Sequence, residues 1–231
     1  RGLALTPVKF GISFTNTSFN QAGALLHVYK DGSIQLNHGG TEMGQGLFIK
    51  VAQVVAQELQ VDIDQIEITA THTGKVPNTS ATAASAGSDL NGMAALNAAR
   101  TIRRRLTAFA SSHYGVPETE IAFHSSHIQI GPHKVSFSDL VMKAYLNRVQ
   151  LSATGFYRTP KIHWDPTTIT GRPFYYFAYG AAVTEVAIDL LTGENRVIGV
   201  DILHDVGRSL NPAVDAGQIE GGFIQGMGWL T

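Results

Sequence analysis

Three segments of the chain combine glycines, hydroxyls and amides densely enough to do chemistry. The first is Gly39-Gly40-Thr41-Glu42-Met43-Gly44-Gln45-Gly46, set between a strand-like and a helix-like run. Its glycines let backbone N–H groups turn inward, and the helix that follows offers its positive end, so the loop can cradle an anion. A tight strand-to-helix turn is the alternative use. It is no Walker A loop, for the Lys-Ser/Thr pair is missing, and its glycine spacing does not fit a dinucleotide fingerprint. The second segment, Thr79-Ser80-Ala81-Thr82-Ala83-Ala84-Ser85-Ala86-Gly87-Ser88, alternates hydroxyls with small residues. A flat ligand could approach such a backbone and find several hydrogen bonds, or Ser85, Ser88 or Asp89 could simply cap a helix entrance. The third runs from Asp205 through Asn211-Pro212 to Asp215-Ala216-Gly217-Gln218. The amide of Gln218, expected in the first turn of a helix, could read a polar ring edge or stay exposed as a capping group.

Other chemistries lack their residues. The chain of 231 residues has no cysteine, which removes disulfides, iron–sulfur ligation and zinc-thiolate sites, so redox chemistry would need a cofactor or partner. Its nine histidines are scattered, and His124 and His127 fall in a strand-and-turn segment that makes a poor metal pair. No Gly-x-Ser-x-Gly elbow occurs. Carboxylates such as Glu42, Glu185 and Glu220 could pair in space, but spacing alone assigns them no partner. With 17 basic and 18 acidic residues the net charge is -1, giving no general pull towards nucleic acid or anionic membrane. The basic run Arg103-Arg104-Arg105 lies in a helical pattern, where such runs are ordinarily solvated. No stretch has the length of a membrane span or the form of a leader, which makes the cytoplasm the expected location.

Positioning these loops requires both strands and helices. Ala22–Tyr29 and Ser33–His38 alternate about an Asp31-Gly32 turn and predict a hairpin. Val51, Val54, Val55 and Leu59 recur at helical spacing. A strand is expected over residues 65–70, a polar loop containing Pro77 over 71–81, and a long helix over 88–113 with Met93, Leu96, Ile102 and Leu106 as its buried stripe. Short strands follow over 117–136, then a helix capped by Ser138. Strands are expected over 149–158, 174–188 and 196–203, with a Leu191-Thr192-Gly193 turn. The stretch Val214–Leu230 reads as a helix despite Gly217, Gly221, Gly222, Gly226 and Gly228, which would let a backbone or ligand approach one face. The fold class is α+β, with helices packed on mixed and antiparallel sheets and a possible division into 1–148 and 149–231.

Read together, Lys9-Phe10-Gly11-Ile12-Ser13-Phe14-Thr15, Gly39 through Gly46, Pro77 through Ser85, Thr154-Gly155-Phe156-Tyr157-Arg158-Thr159-Pro160 and Asp205 through Gly226 resemble the xanthine dehydrogenases, in order along nearly the whole chain. The Thr154 to Pro160 segment is more similar to these than to aldehyde oxidases. The resemblance implies a molybdenum-cofactor-binding domain type and a hydroxylase oxidising hypoxanthine or xanthine towards urate. In such an enzyme a pterin dithiolene holds the metal, a metal-bound hydroxyl attacks an electron-poor purine carbon, and hydride passes to a sulfido group. FAD and 2Fe-2S clusters would sit on other domains or subunits, within an oligomer. Without nucleic acid or membrane partners, residues 1–231 would be part of the molybdopterin-binding region of a larger subunit.

The same resemblance assigns roles. Gly44 and Gln45 would contact the pterin, Thr82, Ala84, Ser85 and Ser88 would line the cofactor, and Gln218 would hold it from the opposite side. Phe14 would stack on the purine and Thr15 would offer its hydroxyl. Ala83 and Ala84 would leave room for a flat ring. Some family members carry a hydroxyl residue where this chain has Gly87. The family's catalytic glutamate would lie beyond Thr231 and its purine-orienting glutamate and arginine before Arg1. No catalytic residue and no protein metal ligand is therefore expected here, and the chain alone would not turn over. The alternatives are an aldehyde oxidase-type hydroxylase and a non-catalytic scaffold or cofactor-insertion module.

Overall fold

Residues Gly2–Ile12 form a long strand, β1, where the sequence points only to the Lys9–Thr15 motif. A proline at Pro7 argues against a central strand but is compatible with an edge, and β1 is an edge. This computed structural model describes residues 1–76 and 78–231; Pro77, expected in the polar loop, lies outside the described residues. The expected hairpin follows as β2 (Gln21–Val28) and β3 (Ile34–His38). Its turn is closed by Asp31, whose Oδ1 accepts from the Ser33 N–H at 3.0 Å, and by Gly32 at φ 90°. Helix α1 (Leu47–Leu59) buries Val51, Val55 and Leu59 at the expected spacing, and β4 (Ile66–Ile68) is shorter than the expected strand.

Helix α2 (Gly87–Tyr114) has a buried face of a different kind from the expected one. Ile102 and Leu106 are buried, but Met93 and Leu96 are only half-buried, and the rest of the stripe is Leu90, Ala94, Ala95, Ala98, Ala99 and Ala110. The reason is a close crossing. A Cβ placed on Gly155 would overlap the Ala94 carbonyl oxygen and the Ala98 nitrogen, so the helix backbone touches the strand carrying Gly155 and only small residues fit between them.

Short strands β5 (Ile121–His124), β6 (His127–Ile130) and β7 (His133–Val135) lead to helix α3 (Phe137–Leu146). Its cap is Ser136, which accepts from the Asp139 N–H at 3.0 Å, and not Ser138, which lies inside the first turn. Strand β8 (Ser152–Arg158), the small pair β9 (His163–Asp165) and β10 (Thr170–Arg172), and the long strands β11 (Tyr176–Ile188) and β12 (Asn195–His204) complete the strands. Helix α4 (Pro212–Leu230) starts earlier than expected, because Asn211 accepts from the Val214 N–H and Pro212 takes the first helical position. Gln218 is thereby in the second turn, not the first.

The larger sheets are β4-β3-β2-β8, with β3 and β4 parallel and the other pairs antiparallel, and the antiparallel β1-β11-β12. Both draw strands from either side of residue 148. The first sheet carries the core: Leu26 and Leu36 pack with Val51, Val55, Leu59, Ile102 and Leu106, all fully buried, each leucine contributing on the order of 2 kcal/mol. The α+β class with mixed and antiparallel sheets holds. Within the arginine run, Arg103 pairs with Glu58 and lies over the Phe123 ring and Arg105 donates to the Gln150 and Ser152 carbonyls, while Arg104 stays exposed as expected of a solvated face. No helix among the described residues is long and apolar enough to cross a membrane.

Candidate functional site

The loop between β3 and α1 is held from within. The Glu42 carboxylate accepts from the Gly44 N–H at 2.9 Å and the Gly46 N–H at 3.0 Å through Oε1, and from the Phe48 N–H at 2.9 Å through Oε2. Burial works to raise the carboxyl, but the backbone donors of Phe48, Gly44 and Gly46 outweigh it and hold Glu42 below the usual range. The cradle legible in the glycine pattern thus receives the chain's own anion. Gln45 brackets the same loop, its Oε1 accepting from Met43 N–H at 2.6 Å and its Nε2 donating to the Thr41 carbonyl at 2.8 Å.

The second loop leans on the first. Thr82 Oγ1 accepts from the Thr41 N–H at 2.9 Å, and a Cβ on Gly39 would collide with Thr79. Ala84 and Ser85 both have φ of 54°, a left-handed backbone that costs non-glycine residues on the order of 1 kcal/mol each and is characteristic of functional loops. Below them Asn91 donates to the Gly87 carbonyl at 2.9 Å. Buried His38, whose Nδ1 accepts from the Gly40 N–H at 3.1 Å, packs edge-on against Phe48. Burial lowers its pKa to about 4, against a smaller opposing effect of Glu42, so its ring is neutral at physiological pH.

The third segment is drawn in by α1. Lys50 pairs with Asp215, with side chains 13% and 16% exposed, and Ser209 donates to the same carboxylate. Burial would raise the Asp215 carboxyl; the hydrogen bonds from Lys50 and Ser209 and the Lys50 charge hold it low instead. Gln53 adds contacts to the Leu210 carbonyl at 3.3 Å and the Asn211 amide at 3.4 Å.

As a result the three segments meet around one cavity of about 350 Å³. Gln45, Thr82, Ala83, Ser85, Ser88 and Gln218 share its wall with Met43, Leu47 and Lys50. Gly44 and Ala84 belong to the same loops but are not on that wall. Phe14 and Thr15 are elsewhere, in a loop after β1 tied by Asn20, which accepts from the Phe14 N–H at 3.0 Å and donates to the Phe14 carbonyl at 2.9 Å. There Phe14 packs edge-on against Phe19 and Thr15 is exposed. Sequence spacing missed Lys50 and its pairing with Asp215, a partnership that spans 165 residues. It also missed a neighbouring chamber of about 360 Å³ that shares Lys50 and Ser88 with the cavity and adds Asp89, Tyr176 and Arg208. Burial raises both the Asp89 carboxyl and the Tyr176 hydroxyl, which face each other. Glu185 pairs with Arg1 at 3.2 Å on the surface, and His124 and His127 only stack on one another. Among the described residues no group of three or more His, Cys, Asp or Glu is arranged to hold a metal.

The fold has known counterparts. The family model of the molybdopterin cofactor-binding domain matches residues 1–231, and the chain belongs to that family. It is 52% identical over its whole length to a xanthine dehydrogenase of Oryza sativa subsp. japonica, and 50% identical to a xanthine dehydrogenase/oxidase of Mus musculus. It spans 16% of the length of each of these relatives. Among solved structures, quinoline 2-oxidoreductase from Pseudomonas putida 86 superposes with a TM-score of 0.81 at 21% identity, over 96% of this chain and 29% of that one. The Cu,Mo-CO dehydrogenase superposes with a TM-score of 0.80 at 22% identity, over 96% and 28%. At that identity the superpositions establish the shared fold.

Proposed function

We propose that this chain forms one wall of the molybdopterin and purine site in a xanthine dehydrogenase that oxidises hypoxanthine or xanthine towards urate. The observation that supports the reading best is the convergence of three sequence-distant segments, each singled out for its glycines, hydroxyls or amide, on one cavity. The residues suit a pterin: Thr82, Ser85 and Ser88 bring hydroxyls, Gln45 and Gln218 bring amides, and Ala83 leaves space for a flat ring. When bound, the group would supply the metal and the two-electron chemistry. The chain's residues would hold and orient it. Both ends of the Gln45 amide are fixed by Thr41 and Met43, which leaves one N–H of defined direction, and Lys50 brings a cation, already matched by Asp215, to the wall. Gly44 and Ala84 would act through their loops' backbones, and Phe14 and Thr15 would take part in purine binding where the rest of the enzyme meets the loop after β1. The remaining molybdenum subunit, and FAD and 2Fe-2S domains or subunits in an oligomer, would complete the electron path.

The test is made on the assembled enzyme. Gln218→Ala should lower bound pterin and molybdenum about five- to tenfold, the equivalent of one hydrogen bond to a buried partner. Turnover per molybdenum should favour purines over aldehydes in the unaltered enzyme. Full cofactor occupancy in the variant would count against the cavity, and a preference for aldehydes would move the assignment to an aldehyde oxidase-type hydroxylase.

A further inference from the structure

We propose that Glu42 is a positioning residue: an internal anion that locks residues 41–48 in the shape that presents Met43 and Gln45 to the cavity. A helix leaves its first N–H groups without partners, and Gly46, the residue capping α1, has no side chain to meet them. Glu42 meets that need from four positions upstream, accepting from Phe48 in the first turn and from Gly44 and Gly46 in the loop itself. Gly44 and Gly46 lie at φ of 95° and 73°, so the turn that wraps around the carboxylate uses backbone that other residues adopt poorly. Without the carboxylate, three N–H groups and the positive end of a helix would converge on nothing.

The consequences run to the cavity wall through bonds already described. The loop that Glu42 closes contains Thr41 and Met43, the two groups that fix the Gln45 amide. The Thr41 N–H then reaches Thr82 in the second loop. Opening the Glu42 turn therefore loosens Gln45 and Thr82 together, although Glu42 itself is not on the wall. It also follows that the start of α1 is already filled, so an anionic group of a ligand must be held by the hydroxyls and amides of the cavity.

The inference rests on the proposed cofactor cavity only for its last readout. In the assembled enzyme, Glu42→Ala should speed hydrogen exchange of the peptide spanning residues 40–48 about tenfold or more, the scale of a lost charge-assisted hydrogen bond. Added formate, a carboxylate small enough to enter the vacated space, should restore protection, whereas chloride at equal ionic strength should not. Glu42→Gln keeps the size but turns one acceptor into a donor, so it should exchange faster than the unaltered enzyme and ignore formate. Pterin retention should follow loop protection across the three proteins. Unaltered exchange in both variants overturns the proposal, as does acceleration that spreads through α1 and α2 and does not respond to formate. Formate-reversible opening with unchanged pterin content would uphold the lock and overturn the cofactor reading of the cavity.

Discussion

His38 is the residue whose chemistry most directly ties stability to pH. It is buried, its Nδ1 accepts from Gly40, and its Nε2 has no partner among the described residues. Its pKa falls from 6.5 to about 4 through burial. A base whose folded pKa is depressed binds its proton more readily unfolded, so stability is fully present above pH 6.5 and is lost progressively as pH falls towards 4. The effect amounts to about 3 kcal/mol at its limit. His38→Asn, which keeps an acceptor near the Nδ1 position, should flatten that acid limb in an unfolding midpoint measured against pH; an unchanged limb would assign it to other groups. Nothing in the sequence marks His38 among nine histidines, because its behaviour comes from a strand end buried under α1. Glu42 was visible only as a carboxylate of unknown partner, since its partners are backbone N–H groups.

At the scale of elements, the crossing of α2 over β8 is the tightest joint. Gly155→Ala places a methyl group on helix backbone that cannot move aside, and should destabilise by about 3 kcal/mol or more. Gly199→Ala in β12, with open space at its Cβ position, should stay within about 0.5 kcal/mol; equal thermal shifts for the two would refute the crossing. The Lys50–Asp215 pair joins α1 to α4, and a double-mutant cycle with Lys50→Met and Asp215→Asn should return a coupling of about 1–3 kcal/mol. Additive effects would mean that α4 is held by other contacts. The elements legible in the sequence were those with strong local signals: the Asp31-Gly32 hairpin, the helical spacing of α1 and the turn before β12. The stripe of α2 was misread because hydrophobicity favours Met93 and Leu96, whereas the close strand selects alanine. Strand β1 was missed because Pro7 breaks its pattern and only its place at an edge makes the proline acceptable. The three loops were legible as unusual, and their family resemblance linked them; what joins them physically, Lys50 to Asp215 and Thr41 to Thr82, spans distances that periodicity does not reach.

On the scale of the whole molecule, the two sheets differ sharply in cover. The sheet under α1 and α2 carries the buried core, while β1 and β12 expose Leu3, Leu5 and Leu203 and α4 exposes Ile224, Trp229 and Leu230. Exposed apolar area on this scale marks an interaction surface, and in the proposed enzyme the rest of the molybdenum subunit would cover it. The isolated chain should therefore self-associate in light scattering, and β1 and α4 should exchange hydrogen more slowly in the assembled enzyme than in the isolated chain. A monodisperse isolated chain with equal exchange would contradict that cover. Whether the cavity shared by the three loops receives the molybdopterin, as proposed, is read from the molybdenum and pterin content of assembled enzyme carrying Ala83→Phe, which fills the cavity from its wall. A loss of about tenfold or more with the fold retained is expected; full cofactor content in a correctly folded Ala83→Phe enzyme would rule the cavity out as the molybdopterin site.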